Sequence, residues 1–308
     1  MTSSDLDDFN LELGTSSELA MAAALALMMF AVALSLKPEN FKFIRHTPKP
    51  YGTGVIAQLI GLPLLTLIIC FIVTPHPSLA LGMILIACCP GGNSSNLLAL
   101  LGRANIALSV SLTATSSVLA AFLTPISILF WSSLYPPTRD LLTQINIDIA
   151  AFLLQTLIIL ALPLCLGMAL VHIAPKLASK LQKPLAMISA LGLLAIIIGA
   201  CIKFAPLFFA LGTGVFILVI VHNGLAFLLG YFVGMISGAD KFSRRALTFE
   251  VGIQNSGLGI VILLTQLGDS SAVGGAGAIA GLWGTWHLIV GSGLVALFRW
   301  RDKSSNAI

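Results

Sequence analysis

The chain has 308 residues, 57% of them hydrophobic and 9% charged, with a mean hydropathy of +1.01. Soluble domains carry about 25% charged residues, so a soluble enzyme is excluded and a polytopic all-α membrane protein is indicated. The net charge of +4 marks no acidic or nucleic-acid partner, because the basic residues follow a topology pattern set out below.

The N-terminus is acidic (Asp5, Asp7, Asp8, Glu12, Glu18) and lacks the basic region of a signal peptide. The first apolar run is therefore expected to stay as a membrane helix. About 20 apolar residues cross the hydrocarbon core. That rule predicts nine transmembrane helices near 18–36, 51–73, 78–101, 105–132, 146–172, 184–203, 206–235, 246–267 and 273–299.

Orientation follows from Lys and Arg. Lys37, Lys42, Arg45 and Lys49 follow the first span, Arg103 the third, and Lys176, Lys180 and Lys183 the fifth. Lys241, Arg244 and Arg245 follow the seventh, and Arg299, Arg301 and Lys303 the ninth; only Arg139 and Lys203 fall on the other side. The positive-inside rule makes the basic side cytoplasmic, with the N-terminus out and the C-terminus in. The expected location is the plasma membrane (the bacterial inner membrane). The cysteines Cys70, Cys88, Cys89, Cys165 and Cys201 lie in or beside apolar runs without metal-ligand spacing. They read as small buried hydrophobes.

Span three contains Cys89-Pro90-Gly91-Gly92-Asn93-Ser94-Ser95-Asn96, and span eight contains Glu250-Val251-Gly252-Ile253-Gln254-Asn255-Ser256-Gly257. Proline removes a helix donor and glycine weakens the helix, so both spans are expected to unwind at their centres. Such backbone is tolerated at membrane depth only where protein buries it or a cavity meets it. The two spans run in opposite directions and each precedes the last helix of its half. That is the pattern of an inverted-repeat secondary transporter working by alternating access. Residues 1–17 would form an outer tail, 18–145 a four-helix first repeat, 146–299 a five-helix inverted repeat and 300–308 a cytoplasmic tail. The first repeat looks like a five-helix unit without its first helix. Close helix packing through small residues is the plainer alternative for either segment alone.

Glu250 is the one carboxylate deep in an apolar run, and burying its charge costs several kcal/mol without a counter-charge. No Lys or Arg nearby supplies one, so a bound cation is the simplest compensation. Sodium takes oxygen ligands. Glu250, the carbonyls of Val251 and Ile253, and the side chains of Gln254, Ser95 and Asn96 supply them. Ser109 and Thr113 share a helical face, although such hydroxyls also bond back to their own helix. Gln58 fits either an ion ligand or a helix–helix hydrogen bond. His287 fits either a packing role or a cavity wall.

The two broken segments resemble the crossover motifs of the bile acid:sodium symporter family. So do Ala107-Leu108-Ser109-Val110-Ser111-Leu112-Thr113, Ala57-Gln58 and Val221-His222-Asn223-Gly224. The resemblance spans most of the chain and implies a panel domain packed on a core domain that holds two crossed helices. It implies two sodium ions and no organic cofactor. The first ion would use Ser95, Asn96, Ser109, Thr113 and Glu250. The second would use Gln58, Glu250, Gln254 and the carbonyls of Val251 and Ile253. A small organic anion of bile acid type would bind beside the crossing, near Asn93, Asn255 and His287. The missing first panel helix and the Gly-Gly-Asn form of the first motif are similar to the nine-helix members. Some members carry pantoate, pyruvate-like acids or sulfated steroids. Partners beyond substrate and membrane lipid, and an obligatory protein partner in particular, are not implied.

Three other classes compete. A cation/proton antiporter of similar architecture would usually pair its acids, and Glu250 stands alone. An intramembrane hydrolase would need a buried aspartate to orient His222 or His287. A sensor that binds the ligand without moving it stays open.

Overall fold

Proline starts many of the helices, where its missing N–H costs nothing. The computed structural model describes residues 15–36, 47–146, 148–210, 212–267 and 273–305. Among these the chain is helical: α1 Thr15–Ser35, then α2 Pro48–Ile56, which runs through a π-helical turn at Ala57–Gly61 into α3 Leu62–Val73. There follow α4 Pro77–Ala87, α5 Asn93–Leu101, α6 Ile106–Leu134, α7 Pro136–Gln144 and α8 Ile149–Ile173. The rest are α9 Pro175–Ala210, α10 Gly212–Ile236, α11 Lys241–Gly252, α12 Ser256–Leu267 and α13 Val273–Ser305.

Among the described residues, five stretches are long and apolar enough to cross a membrane: Pro48–Val73, Ile106–Leu134, Ile149–Ile173, Gly212–Ile236 and Gly274–Ser304. Leu19–Ser35, Pro77–Ala87 and Ser256–Leu267 are shorter apolar helices. The polarity is that of a protein in lipid. Ile60, Leu64, Ile68 and Ile72 expose one apolar face of the α2–α3 span, while Gln58 and Thr66 on the same span are buried. The chain is an integral membrane protein.

Both expected breaks are present: α4 stops at Ala87 before α5, and α11 stops at Gly252 before α12. The sixth expected span differs. Helix α9 is continuous over 36 residues, so it includes Lys176, Lys180 and Lys183 at its start and Lys203 and Pro206 near its end. At 1.5 Å per residue it is about 54 Å long, well beyond the hydrocarbon core. A rule built on one membrane thickness divides such a helix too early. The true boundary falls by Gly212, whose φ of +71° suits a glycine turn. Helix α7, in the connection from α6 to α8, has no counterpart among the expected spans. The C-terminal tail expected from residue 300 is helical as far as Ser305. Most of the expected N-terminal tail, together with Lys37, Lys42 and Arg45, lies outside the described residues, as do the side chains of Lys203 and Cys201.

Helix α1 packs mainly on α8 and α9, α10 on α11, and α4 on α13. Small residues set these distances, as in membrane helix pairs generally. A Cβ at Gly82 would stand 2.7 Å from the Cα of Ala276, and one at Gly167 would stand 2.9 Å from the Phe30 carbonyl. The small residues that open α13 thus serve close packing. Cys70, Cys88 and Cys89 are buried free thiols, whereas Cys165 is exposed.

Candidate functional site: two broken helices crossing at a buried carboxylate

The unwound segments satisfy each other's backbone. Gly91 and Gln254 form an antiparallel bridge. The Gly92 N–H donates to the Ile253 carbonyl at 3.3 Å, and the Asn255 N–H donates to the Pro90 carbonyl at 2.9 Å. Two further freed carbonyls are capped from outside. Thr124 on α6 donates to the Cys88 carbonyl at 3.1 Å, and the Asn223 amide on α10 donates to the Gly252 carbonyl at 2.9 Å. Without such partners, open backbone at this depth would be costly.

Glu250, in the last turn of α11, is 1% exposed. Thr113 donates to its Oε1 at 2.6 Å, and Ser95 and Ser109 reach its Oε2 at 2.8 and 3.2 Å. Among the described residues, none of the ion pairs involves it. Asn96 Oδ1 also faces Ser109 at 2.8 Å and Thr113 at 3.2 Å. Ser95 additionally meets the Gly92 carbonyl, and Thr113 the Ser109 carbonyl. Three hydroxyl protons therefore face five acceptors: both carboxylate oxygens, Asn96 Oδ1 and two carbonyls. Each hydroxyl has one proton to give, so the pocket is rich in acceptors and poor in protons. A hard cation suits such a pocket. Glycine at 91 is what admits the carboxylate: a Cβ there would run into Glu250 Oε1 and stand 2.8 Å from Gln58 Nε2.

The carbonyl end of α11 is ringed by amides. Gln58 Nε2 donates to the Glu250 carbonyl at 3.4 Å, and Gln254 Nε2 donates to the Val251 carbonyl at 3.0 Å. The oxygens of Gln58, Gln254 and Asn223 are buried without partners among the described residues. Orphaned oxygens of this kind cost about 1–3 kcal/mol each, and a cation would satisfy them. Gln58 sits in the π-helical turn, a distortion that often marks functional positions. The carbonyls of Val251 and Ile253 are each already hydrogen-bonded here, to Gln254 and Gly92, and each keeps a second lone pair.

Beside the crossing lies an open cavity of about 540 Å³ between α1, α9 and α13, with Asn255 and His287 in its wall. Asn255 Oδ1 caps α12 by accepting from the Leu258 N–H at 3.1 Å, and its amide approaches Met28 Sδ at 3.8 Å. His287 is buried, with Nδ1 unpartnered among the described residues. The starts of α5 and α12 meet this cavity, and helix N-termini favour negative charge. Asn93 opens α5, and its side chain lies outside the described ones. The sequence-predicted oxygen ligands thus gather at one crossing, and two of the three expected anion-site residues share one cavity.

Asn223, which its sequence motif alone does not assign to the site, stands against the second break. A polar amide mid-way along an apolar span was the available signal. Its neighbour His222 bonds Thr66 at 2.8 Å through Nε2 and meets the Trp283 ring edge-on at 4.6 Å. Its Nδ1 has no partner among the described residues.

A helical membrane protein whose most polar ground is buried at the crossing of two broken helices is built as a transporter. Comparison with known proteins narrows the class. The model of the sodium bile acid symporter family matches residues 22–209, and the chain belongs to that family. It is 30% identical over 283 residues to YocS of Bacillus subtilis, an uncharacterized sodium-dependent transporter, covering 92% of this chain and 84% of that one. It is 31% identical over 277 residues to the probable chloroplastic sodium/metabolite cotransporter BASS1 of Arabidopsis thaliana, covering 89% of this chain and 65% of the relative. Against the human ileal sodium/bile acid cotransporter it is 27% identical over 260 residues, covering 82% and 70%. The family is one of sodium-dependent transporters rather than enzymes, and sodium coupling follows from membership.

Proposed function

We propose that the protein is a symporter that couples two sodium ions to one organic anion by alternating access. The observation that carries this reading is the excess of acceptors over protons around Glu250. The first ion is held by Ser95, Asn96, Ser109, Thr113 and Glu250. The second is held by Gln58, Glu250, Gln254 and the carbonyls of Val251 and Ile253. The anion lies in the cavity beside the crossing, against Asn93, Asn255 and His287 and the two helix N-termini.

The proposed carrier has nine spans, counting α2 with α3, α4 with α5 and α11 with α12 as one each and leaving out the short connecting helix α7. Helices α1, α8 and α9 form the panel and the rest form the core. Residues 18–145 and 146–299 are inverted repeats, and the basic ends face the cytoplasm. Charge explains coupling: two cations outweigh Glu250 by one, and the anion brings the loaded site near neutrality. A near-neutral site moves across the membrane more readily than a partly loaded one.

The test is uptake of radiolabelled taurocholate into cells expressing the protein, in sodium against potassium or choline buffer. Sodium-dependent uptake that disappears in Glu250→Ala supports the mechanism; full uptake in that variant sinks it. A smaller acid is the second reading for the substrate, favoured by the metabolite-cotransporter relative, which is no less similar than the bile acid one. Pantoate and a keto acid belong in the same assay. Proton release on sodium addition without any organic substrate would instead indicate an antiporter.

A further inference from the structure

The second polar cavity lies at the other end of the bundle from α7, where α10 finishes, α11 starts and α13 runs on to Ser305. Its volume is about 390 Å³, and Lys241, Arg244, Arg245 and Arg301 stand in its wall with Tyr231 and Trp300. Lys241 and Arg245 are committed within the protein. Asp302 takes Arg245 at 2.7 and 2.8 Å and Lys241 at 2.5 Å. Arg245 also donates to the Gly102 and Phe298 carbonyls, which pins α5, α11 and α13 together.

Arg244 is different. Its Nε is buried without a hydrogen-bond partner, and none of the ion pairs among the described residues includes it. Its stem runs across Gly234 of α10, where a Cβ would stand 2.9 Å from Arg244 Cγ. The guanidinium is therefore held at the cavity without a counter-charge among the described residues. An uncompensated, partly buried guanidinium is suited to a phosphate, which its planar fork meets with two hydrogen bonds.

The surroundings indicate which phosphate. Trp300 is 67% exposed, and so are Phe232, which packs edge-on against Tyr231, Phe242, whose ring lies by Lys241 and Arg245, and Ile236 at the end of α10. Aromatic residues at the ends of apolar helices lie at headgroup level, and an apolar rim continuous with the lipid-facing side of α10 suits an acyl chain. We propose that this pocket binds the phosphate of an anionic phospholipid, with Arg244 as the principal contact and Lys241 and Arg301 adding to the field. The site stands apart from the transport reading and does not depend on it.

The experiment is native mass spectrometry of the purified full chain in mild detergent, titrated with phosphatidylglycerol, phosphatidylcholine or inorganic phosphate. Phosphatidylglycerol should bind about tenfold more tightly than phosphatidylcholine, as expected for a net-anionic headgroup at clustered basic residues. Arg244→Gln should lose that preference. Arg139→Gln, which removes one charge from the opposite end, should keep it. Arg244→Lys should keep part of it, as a point charge without the fork. Elution at the wild-type volume in size-exclusion chromatography shows that each variant is folded. A preference that persists in Arg244→Gln, or disappears equally in Arg139→Gln, overturns the site. Displacement of the lipid by equimolar inorganic phosphate overturns the lipid assignment.

Discussion

The break between α4 and α5 and the break between α11 and α12 lie against each other, and they are built differently. The first is Pro90-Gly91-Gly92: it holds no charge, and two side-chain hydroxyls, Thr124 and Ser95, meet the Cys88 and Gly92 carbonyls. The second follows directly on Glu250, and three amides, from Gln58, Gln254 and Asn223, meet its carbonyls. The first break supplies room and, just beyond it, the uncharged groups of Ser95 and Asn96; the second supplies the charge and the ring of amides. The bridge of Gly91 to Gln254 joins these contributions, so neither segment makes the site alone.

The comparison breaks most completely at Glu250. Glu250→Ala leaves three buried hydroxyls and Asn96 without the carboxylate they surround, and sodium-dependent uptake should fall by roughly a hundredfold or more, the upper range for loss of a metal-site group. Gly91→Ala tests the complementary claim that the first break contributes space. Its Cβ would collide with Glu250 Oε1, whereas a Cβ at Gly92 would meet the Gln254 carbonyl at an ordinary 3.4 Å. Uptake in Gly91→Ala should fall about tenfold or more, while Gly92→Ala should stay within about twofold. Equal losses in the two variants would mean that general strain in the break, rather than room for the carboxylate, explains the glycine.

Much of this arrangement was legible in the sequence, for reasons that belong to the membrane. A lone acid in an apolar run and a Pro-Gly-Gly interruption are strong signals because lipid makes both expensive. Ser109 and Thr113, four residues apart, were placed on one face by helical periodicity, and both reach Glu250. What escaped depends on geometry that no local pattern encodes. The π-helical turn around Gln58 has no sequence signature of its own. Thr124 looks like any threonine in a membrane helix until Cys88 is found opposite it. Helix α9 is continuous through Lys203 and Pro206, and a single-thickness rule cannot see it.

Asn223 sharpens the second break. Its N–H holds the Gly252 carbonyl at 2.9 Å while its oxygen has no partner among the described residues. Asn223→Leu should raise the sodium concentration for half-maximal uptake by about tenfold, with the substrate KM at saturating sodium little changed. An unaltered sodium dependence would make Asn223 a backbone cap alone, equivalent to Thr124.

Thr124 is the matching test on the uncharged side, and the effect expected there is the smallest. Thr124→Val keeps the shape and removes one buried hydrogen bond, leaving the Cys88 carbonyl unsatisfied. The loss should be about 1–2 kcal/mol, visible as a fall in the melting temperature of the purified protein of a few degrees. Sodium half-saturation should not move, because the Cys88 carbonyl that the hydroxyl caps is in neither proposed ion site. If sodium affinity drops together with stability, the Cys88 carbonyl is coupled to the ion site alongside Ser95 and Asn96. The division between room and charge would then give way to a single cooperative site.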